Sequence, residues 1–147
     1  MTGARTIVVG VDGSTQSEAA LRWALIEAGP GDRVRAVLVR ARDDLLPGTS
    51  YAIQPHGRTP VGVDEEYAER LRTTVAAAAG ADASRVEQVV RTGDPAAELI
   101  AESAAAAFLA LGSHGARPVT ELLLGRVTAR CVRHARCPVV VMPPGAR

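Results

Sequence analysis

Near the C-terminus the run Gly112-Ser113-His114-Gly115 is followed, after nine further residues, by Gly125 and Arg126. Glycines so placed, two in a short run after an apolar segment and one opening a helix-like stretch, let bare backbone N–H groups come close to an anion. A helix N-terminus adds partial positive charge at the same place. The chemistry implied is the cradling of a phosphate. His114, inside the run, could meet that phosphate when protonated or could face solvent. Arg126 would be a cation at a first helical position, opposing the helix dipole by about 0.3–1 kcal/mol. A bound anion reverses the sign, because Arg126 could then donate a charge-assisted hydrogen bond worth about 1.5–3 kcal/mol. Without one, Arg126 swings into solvent or fills the pocket itself. Thr128 could add its hydroxyl two residues later.

Composition narrows the chemistry further. The seventeen basic residues are all Arg, and the chain has neither Lys nor Asn. A Walker lysine, a Schiff base and a lysine general base are therefore excluded. A formal net charge of +1 gives no electrostatic footprint for nucleic acid or a membrane surface. Cys131 and Cys137 match no zinc or redox spacing and read as free thiols. His56 and His134 have no carboxylate at ligand spacing, so no metal site is expected. Fast hydrolysis would need a base beside the terminal phosphate, and near the glycine run only Glu121 offers a carboxylate. It reads as a solvent-facing residue. Arg117, Arg126, Arg130, Arg133 and Arg136 make the last third basic, either as a solvated face or as a funnel toward the phosphate site.

These residues need a scaffold, and its elements are readable. Thr6 to Val11 is a β-branched run ending at Asp12-Gly13-Ser14, which reads as a buried strand and a turn. Asp12 is either a ligand contact or an Asx turn. A helix follows, capped by Ser14 or Thr15 and broken at Gly29-Pro30-Gly31. Val34 to Val39 is a second strand. Asp43 to Val63 is punctuated by Pro47, Pro55, Pro60 and several glycines, and reads as an irregular insertion, a flap or a lid. Asp64 to Ala79 is a helix ending at Gly80, and Val86 to Arg91 a third strand. Asp94 as N-cap and Pro95 at the first helical position launch Ala96 to Ala105. Phe108 to Leu111, a helix over Arg126 to Ala135 and a strand over Pro138 to Met142 complete the chain.

Strands alternating with helices imply one α/β domain, a parallel sheet covered on both faces. Ligands of such sheets bind outside the carboxyl ends of the strands where the order reverses. That rule brings Asp12 and the Gly112 loop into one crevice. The apolar run Ile7-Val8-Val9 is too short for a signal core or a membrane span, so a cytoplasmic protein is expected.

Over essentially its whole length the chain resembles the universal stress protein family. The resemblance rests on Ile7-Val8-Val9-Gly10-Val11-Asp12-Gly13-Ser14, on Gly93-Asp94-Pro95, on Gly112-x2-Gly115-x9-Gly125, and on Ala135-Arg136-Cys137-Pro138-Val139-Val140-Val141. It implies a single flavodoxin-like, doubly wound, five-stranded domain over residues 1–147 with strand order 3-2-1-4-5. It also implies a homodimer paired through Pro138 to Met142 and, in one subgroup, ATP binding, with Mg2+ as a possible companion. Asp12 would then contact the ribose or adenine side, the backbone at Val39 would read the adenine edge, and Gly112, His114, Gly115, Gly125, Arg126 and Thr128 would surround the phosphates. The ATP-binding subgroup has Ser or Thr directly after the last glycine, where this chain has Arg126. The resemblance thus leaves two expectations: a dimeric nucleotide-binding regulator of the stress response without fast catalysis, or a nucleotide-free scaffold whose phosphate site Arg126 closes. A phospho-receiver domain, which needs a lysine after its last strand, is excluded.

Overall fold

A computed structural model describes residues 4–41, 63–114 and 124–145. Strand β1 (Thr6–Val11) leads to helix α1 (Thr15–Glu27), strand β2 (Arg33–Ala41), helix α2 (Val63–Ala79), a 3-10 segment (Gly80–Arg85) and strand β3 (Val86–Gly93). Helix α3 (Pro95–Ser103), strand β4 (Phe108–Gly112), helix α4 (Arg126–His134) and strand β5 (Val139–Met142) follow. All strand pairs are parallel and the order is β3-β2-β1-β4-β5. Expected and observed elements agree in type and order, with β2 and β3 each longer than their apolar runs. The 3-10 segment was not anticipated, since Ala-Asp-Ala-Ser carries no period. It begins at Gly80, whose φ of +53° closes α2 as a C-terminal glycine should. Most of the 43–63 insertion, together with Gly115, Arg117 and Glu121, lies outside the described residues.

Alternation along the strands divides the core into two layers. Ile7, Val9, Val34, Ala36 and Leu38 point to one face, packed by Leu21 and Ala24 of α1 and Leu71 and Val75 of α2. Val8, Val37, Leu109 and Leu111 point to the other, under Leu99 of α3 and Cys131 of α4. Helices therefore cover both faces. Burial pushes the Cys131 thiol up to about 11, and both cysteines are free.

The amino end of the sheet is bolted by charge. Arg5 donates from its backbone and guanidinium to both oxygens of Asp32 (3.0, 3.1 and 2.8 Å), and Gly29 N–H adds a fourth bond at 2.9 Å. These bonds hold the Asp32 carboxyl well below the usual carboxylate range. The same Arg5 lies 5.8 Å from the Phe108 ring, whose other neighbour, Trp23, meets it edge-on at 6.0 Å. At the carboxyl ends of β1 and β4 the described chain opens into a crevice.

Candidate crevice at the switch point

β1 and β4 are adjacent in space but not in sequence, and the helices that follow them lie on opposite faces of the sheet. Beyond their carboxyl ends is a cavity of about 770 Å3. Val37, Val39, Leu99, Leu111 and Val127 give it apolar walls. Asp12, Gly112, His114, Gly125, Arg126 and Thr128 give it a polar end. Every site residue expected from sequence that the structure describes therefore borders one cavity.

The turn after β1 is a closed web. Asp12 Oδ1 accepts the Ser14 N–H at 2.9 Å, so the Asx turn is real. Ser14 Oγ accepts the Ser17 N–H at 3.2 Å and caps α1. Ser17 Oγ donates to the Ser14 carbonyl at 2.9 Å and accepts the Asp12 N–H at 3.3 Å. Gly13 sits at φ +85°, a conformation costly for any residue with a Cβ. Asp12 itself is exposed at the mouth of the cavity.

On β2, pairing with β1 ends at Val11↔Leu38. Arg33 N–H donates to Arg5 O, and in a parallel ladder alternate residues repeat that direction, so the Val39 carbonyl points to the β1 side past the last pair. A backbone acceptor thus stands at the rim beside an apolar wall.

The glycine run after β4 differs in detail from its expected role. A Cβ on Gly112 would lie 2.6 Å from Gln16 Cβ and 3.2 Å from the Ser17 nitrogen, so Gly112 is glycine because the first turn of α1 packs against it. A Cβ on Gly125 would lie 3.1 Å from His114 Cα, and Gly125 N–H donates to Ser113 O at 2.7 Å. His114 is only 7% exposed, which corrects the solvent-facing reading. Its Nδ1 shares a hydrogen bond with Ser113 Oγ at 3.0 Å, and its Nε2 lies 3.3 Å from Gln16 Nε2. Both ring nitrogens are engaged by the protein. Thr128 is buried and donates its hydroxyl to the Gly112 carbonyl at 2.7 Å, where the expectation had that hydroxyl on a phosphate. That bond ties α4 to the end of β4. The contribution of Gln16 was missed, because only the packing against Gly112 reveals it.

Of the helices that begin at this end, α1, α3 and α4 differ in how their first turns are capped. α1 has the Ser14 cap and Glu18 in its first turn. α3 has the Asp94 carboxylate on the Ala97 N–H at 2.9 Å, Glu98 in its first turn, and Pro95, which has no N–H. Asp94 also accepts Arg130 Nη1 of α4 at 2.8 Å, and the Ala97 bond and this pair together lower its pKa. α4 has a glycine cap, no side-chain cap bond and no acidic residue in its first turn. The first intrahelical donor there is Ala129, to Gly125 O, so the N–H groups of Arg126, Val127 and Thr128 have no partner within the helix. Arg126 is exposed, borders the cavity, and forms no ion pair with a described carboxylate. No group of three or more His, Cys, Asp or Glu able to hold a metal ion occurs among the described residues.

These features define a flavodoxin-like α/β protein with a crevice at the switch point. Residues 3–143 match the model of the universal stress protein family, and the chain belongs to that family. It is 34% identical over 140 residues to universal stress protein Rv2005c of Mycobacterium tuberculosis, a match covering 92% of this chain and 44% of that protein. The chain thus spans less than half the length of this relative. Among solved structures it resembles universal stress protein UspA from Lactobacillus plantarum (TM-score 0.74, 21% identity, 97% and 99% of the two chains). It also resembles a universal stress protein in complex with cAMP (TM-score 0.64, 23% identity, 96% and 98%). The Archaeoglobus fulgidus universal stress protein in complex with dAMP is another (TM-score 0.59, 21% identity, 97% and 99%).

Proposed function

We propose that this chain binds an adenine nucleotide in the crevice and acts as a dimeric, noncatalytic module of a stress response. The observation that carries this reading is the open N-terminus of α4. α1 and α3 have filled their own starts with a hydroxyl or a carboxylate, whereas α4 offers an anion three N–H groups without a partner in the helix, and Arg126, which pairs with no described carboxylate, at the polar end of the cavity. The apolar walls suit a planar base, and the Val39 carbonyl suits an exocyclic amine at its edge. Two structural neighbours are complexes with cAMP and dAMP, which supports an adenine ligand. ATP, with or without Mg2+, is the proposed ligand, and Arg126 takes the place of the missing hydroxyl.

Isothermal titration with ATP, ADP and cAMP, with and without Mg2+, tests this. Saturable binding that weakens about tenfold in Arg126→Ala is expected, the loss of one charge-assisted bond. Silence toward all three, with binding created by Arg126→Ser, would establish the nucleotide-free scaffold instead.

A further inference from the structure

We infer that the crevice takes up a proton together with its nucleotide, that His114 is the group that takes it, and that Gln16 is the positioning residue that lets it do so. This inference rests on the proposed nucleotide site and names a regulation of it: the grip on an anion tightens as pH falls. Histidine is the side chain whose charge changes between about pH 5 and 8. His114 borders the cavity yet is only 7% exposed, and the start of α4 rests on it, since a Cβ on Gly125 would lie 3.1 Å from its Cα and 3.3 Å from its Cβ. A positive charge on that ring would stand beside the open N–H groups of α4, where the anion is proposed to sit. The ring acts by charge and not by contact, because the protein already engages both of its nitrogens.

The partners of the ring decide whether such a charge can be held. Ser113 Oγ meets Nδ1 at 3.0 Å and the Gln16 amide meets Nε2 at 3.3 Å, and each of these groups can either donate or accept. In the neutral ring, Gln16 Nε2 donates to His114 Nε2, and Nδ1–H donates to the Ser113 hydroxyl. In the charged ring Nδ1–H keeps that bond, Nε2–H becomes a donor, and a half-turn of the amide brings Gln16 Oε1 round to receive it. Both states are bonded within the fold, and passing between them moves one amide. Gln16 is half-buried in the first turn of α1, packed on Gly112, and is not among the residues that border the cavity. It acts through His114.

Among the described residues the charged groups around the ring are few. Asp12 from the turn after β1 and Arg126 from α4 border the same cavity, are exposed, and have opposite signs. α1 presents Gln16, and Glu18, two residues on, lies on another side of that helix. β5 meets this strand end through Met142, which has no charge. A bound phosphate is then the main change of charge that the ring meets, and by linkage a charged ring and a bound anion favour one another by the same factor.

The test is isothermal titration between about pH 6 and 8 with cAMP, and with ATP plus Mg2+, whose phosphates keep a constant charge over that range, on the native protein, His114→Gln and Gln16→Leu. Native affinity should rise about tenfold from the upper to the lower pH. Repeating the titration in buffers of different ionisation enthalpy should show a proton taken up with the ligand. His114→Gln should bind with an affinity that does not change with pH, and without uptake. Gln16→Leu, which keeps the histidine and removes the oxygen that receives Nε2–H, should shrink both effects. Native binding that is independent of pH, or a pH dependence that persists in His114→Gln, overturns this inference and leaves the nucleotide site standing. Native protein that binds neither ligand overturns both. Uptake is counted per ligand bound, so a change in folded fraction does not alter it. If His114→Gln fails to fold, Gln16→Leu, altered at a half-buried position, still decides, because undiminished uptake there overturns the inference as well.

Discussion

Thr128 shows how one hydrogen bond decides between two roles for a side chain. Its hydroxyl proton goes to the Gly112 carbonyl, 16 residues away, in a buried setting. Replacement by Val keeps the volume and leaves that carbonyl without its partner, which costs about 1–3 kcal/mol. Urea unfolding should record the loss, while nucleotide affinity stays within a small factor of native. The reverse pattern, affinity lost and stability kept, would put the hydroxyl on the ligand. Arg126 is the opposite case. Nothing described in the fold competes for its charge, and its position at the start of α4 disfavours the empty helix. Sequence alone set both residues beside the phosphate because spacing places them together. Only the tertiary acceptor on Thr128 separates them.

Among the elements, the strands and caps were legible because their causes are local. The β-branched run of β1, Ser14 before α1, and Asp94-Pro95 before α3 each act within a few residues. The crevice was legible through the strand order that the resemblance implies, which sets β1 beside β4. What stayed hidden has long-range causes: the packing of Gln16 on Gly112, the burial of His114, and the Arg130–Asp94 pair that joins α4 to the turn before α3. The Arg5–Asp32 clasp between β1 and β2 belongs here too, and it has a pH signature. The folded-state pKa of Asp32 is depressed, so its contribution is complete above the unfolded value of about 3.9 and is lost as pH falls toward the folded one. Asp32→Asn should therefore unfold at lower urea than native protein at pH 7, and the gap should narrow progressively below about pH 4. A gap unchanged at pH 3 would show that the carboxylate charge is not what holds the clasp.

For the whole molecule the open question is assembly, and β5 frames it. The expected pairing surface spans Pro138 to Met142. Leu109 N–H donates to Pro138 O and Ser113 N–H to Met142 O, so in this parallel ladder 138, 140 and 142 face β4. The backbone groups of Val139 and Val141 face outward, on an edge of four half-buried residues. Val140 also packs against the core, so a charge there would disturb folding as well as pairing. Val141→Pro removes an outward donor and leaves the β4 ladder intact. Light scattering should show native dimer and variant monomer; equal mass would reject pairing through this strand. Finally, the unequal starts of α1, α3 and α4 have a consequence in time. Amides already bonded to a cap exchange with solvent slowly whether or not the crevice is filled, whereas those of Arg126, Val127 and Thr128 have no partner within the helix and, on the proposed function, gain one from the ligand. If the crevice takes the proposed nucleotide, their exchange with deuterium should be a clock that runs while it is empty and slows when it is occupied, requiring no movement elsewhere in the fold.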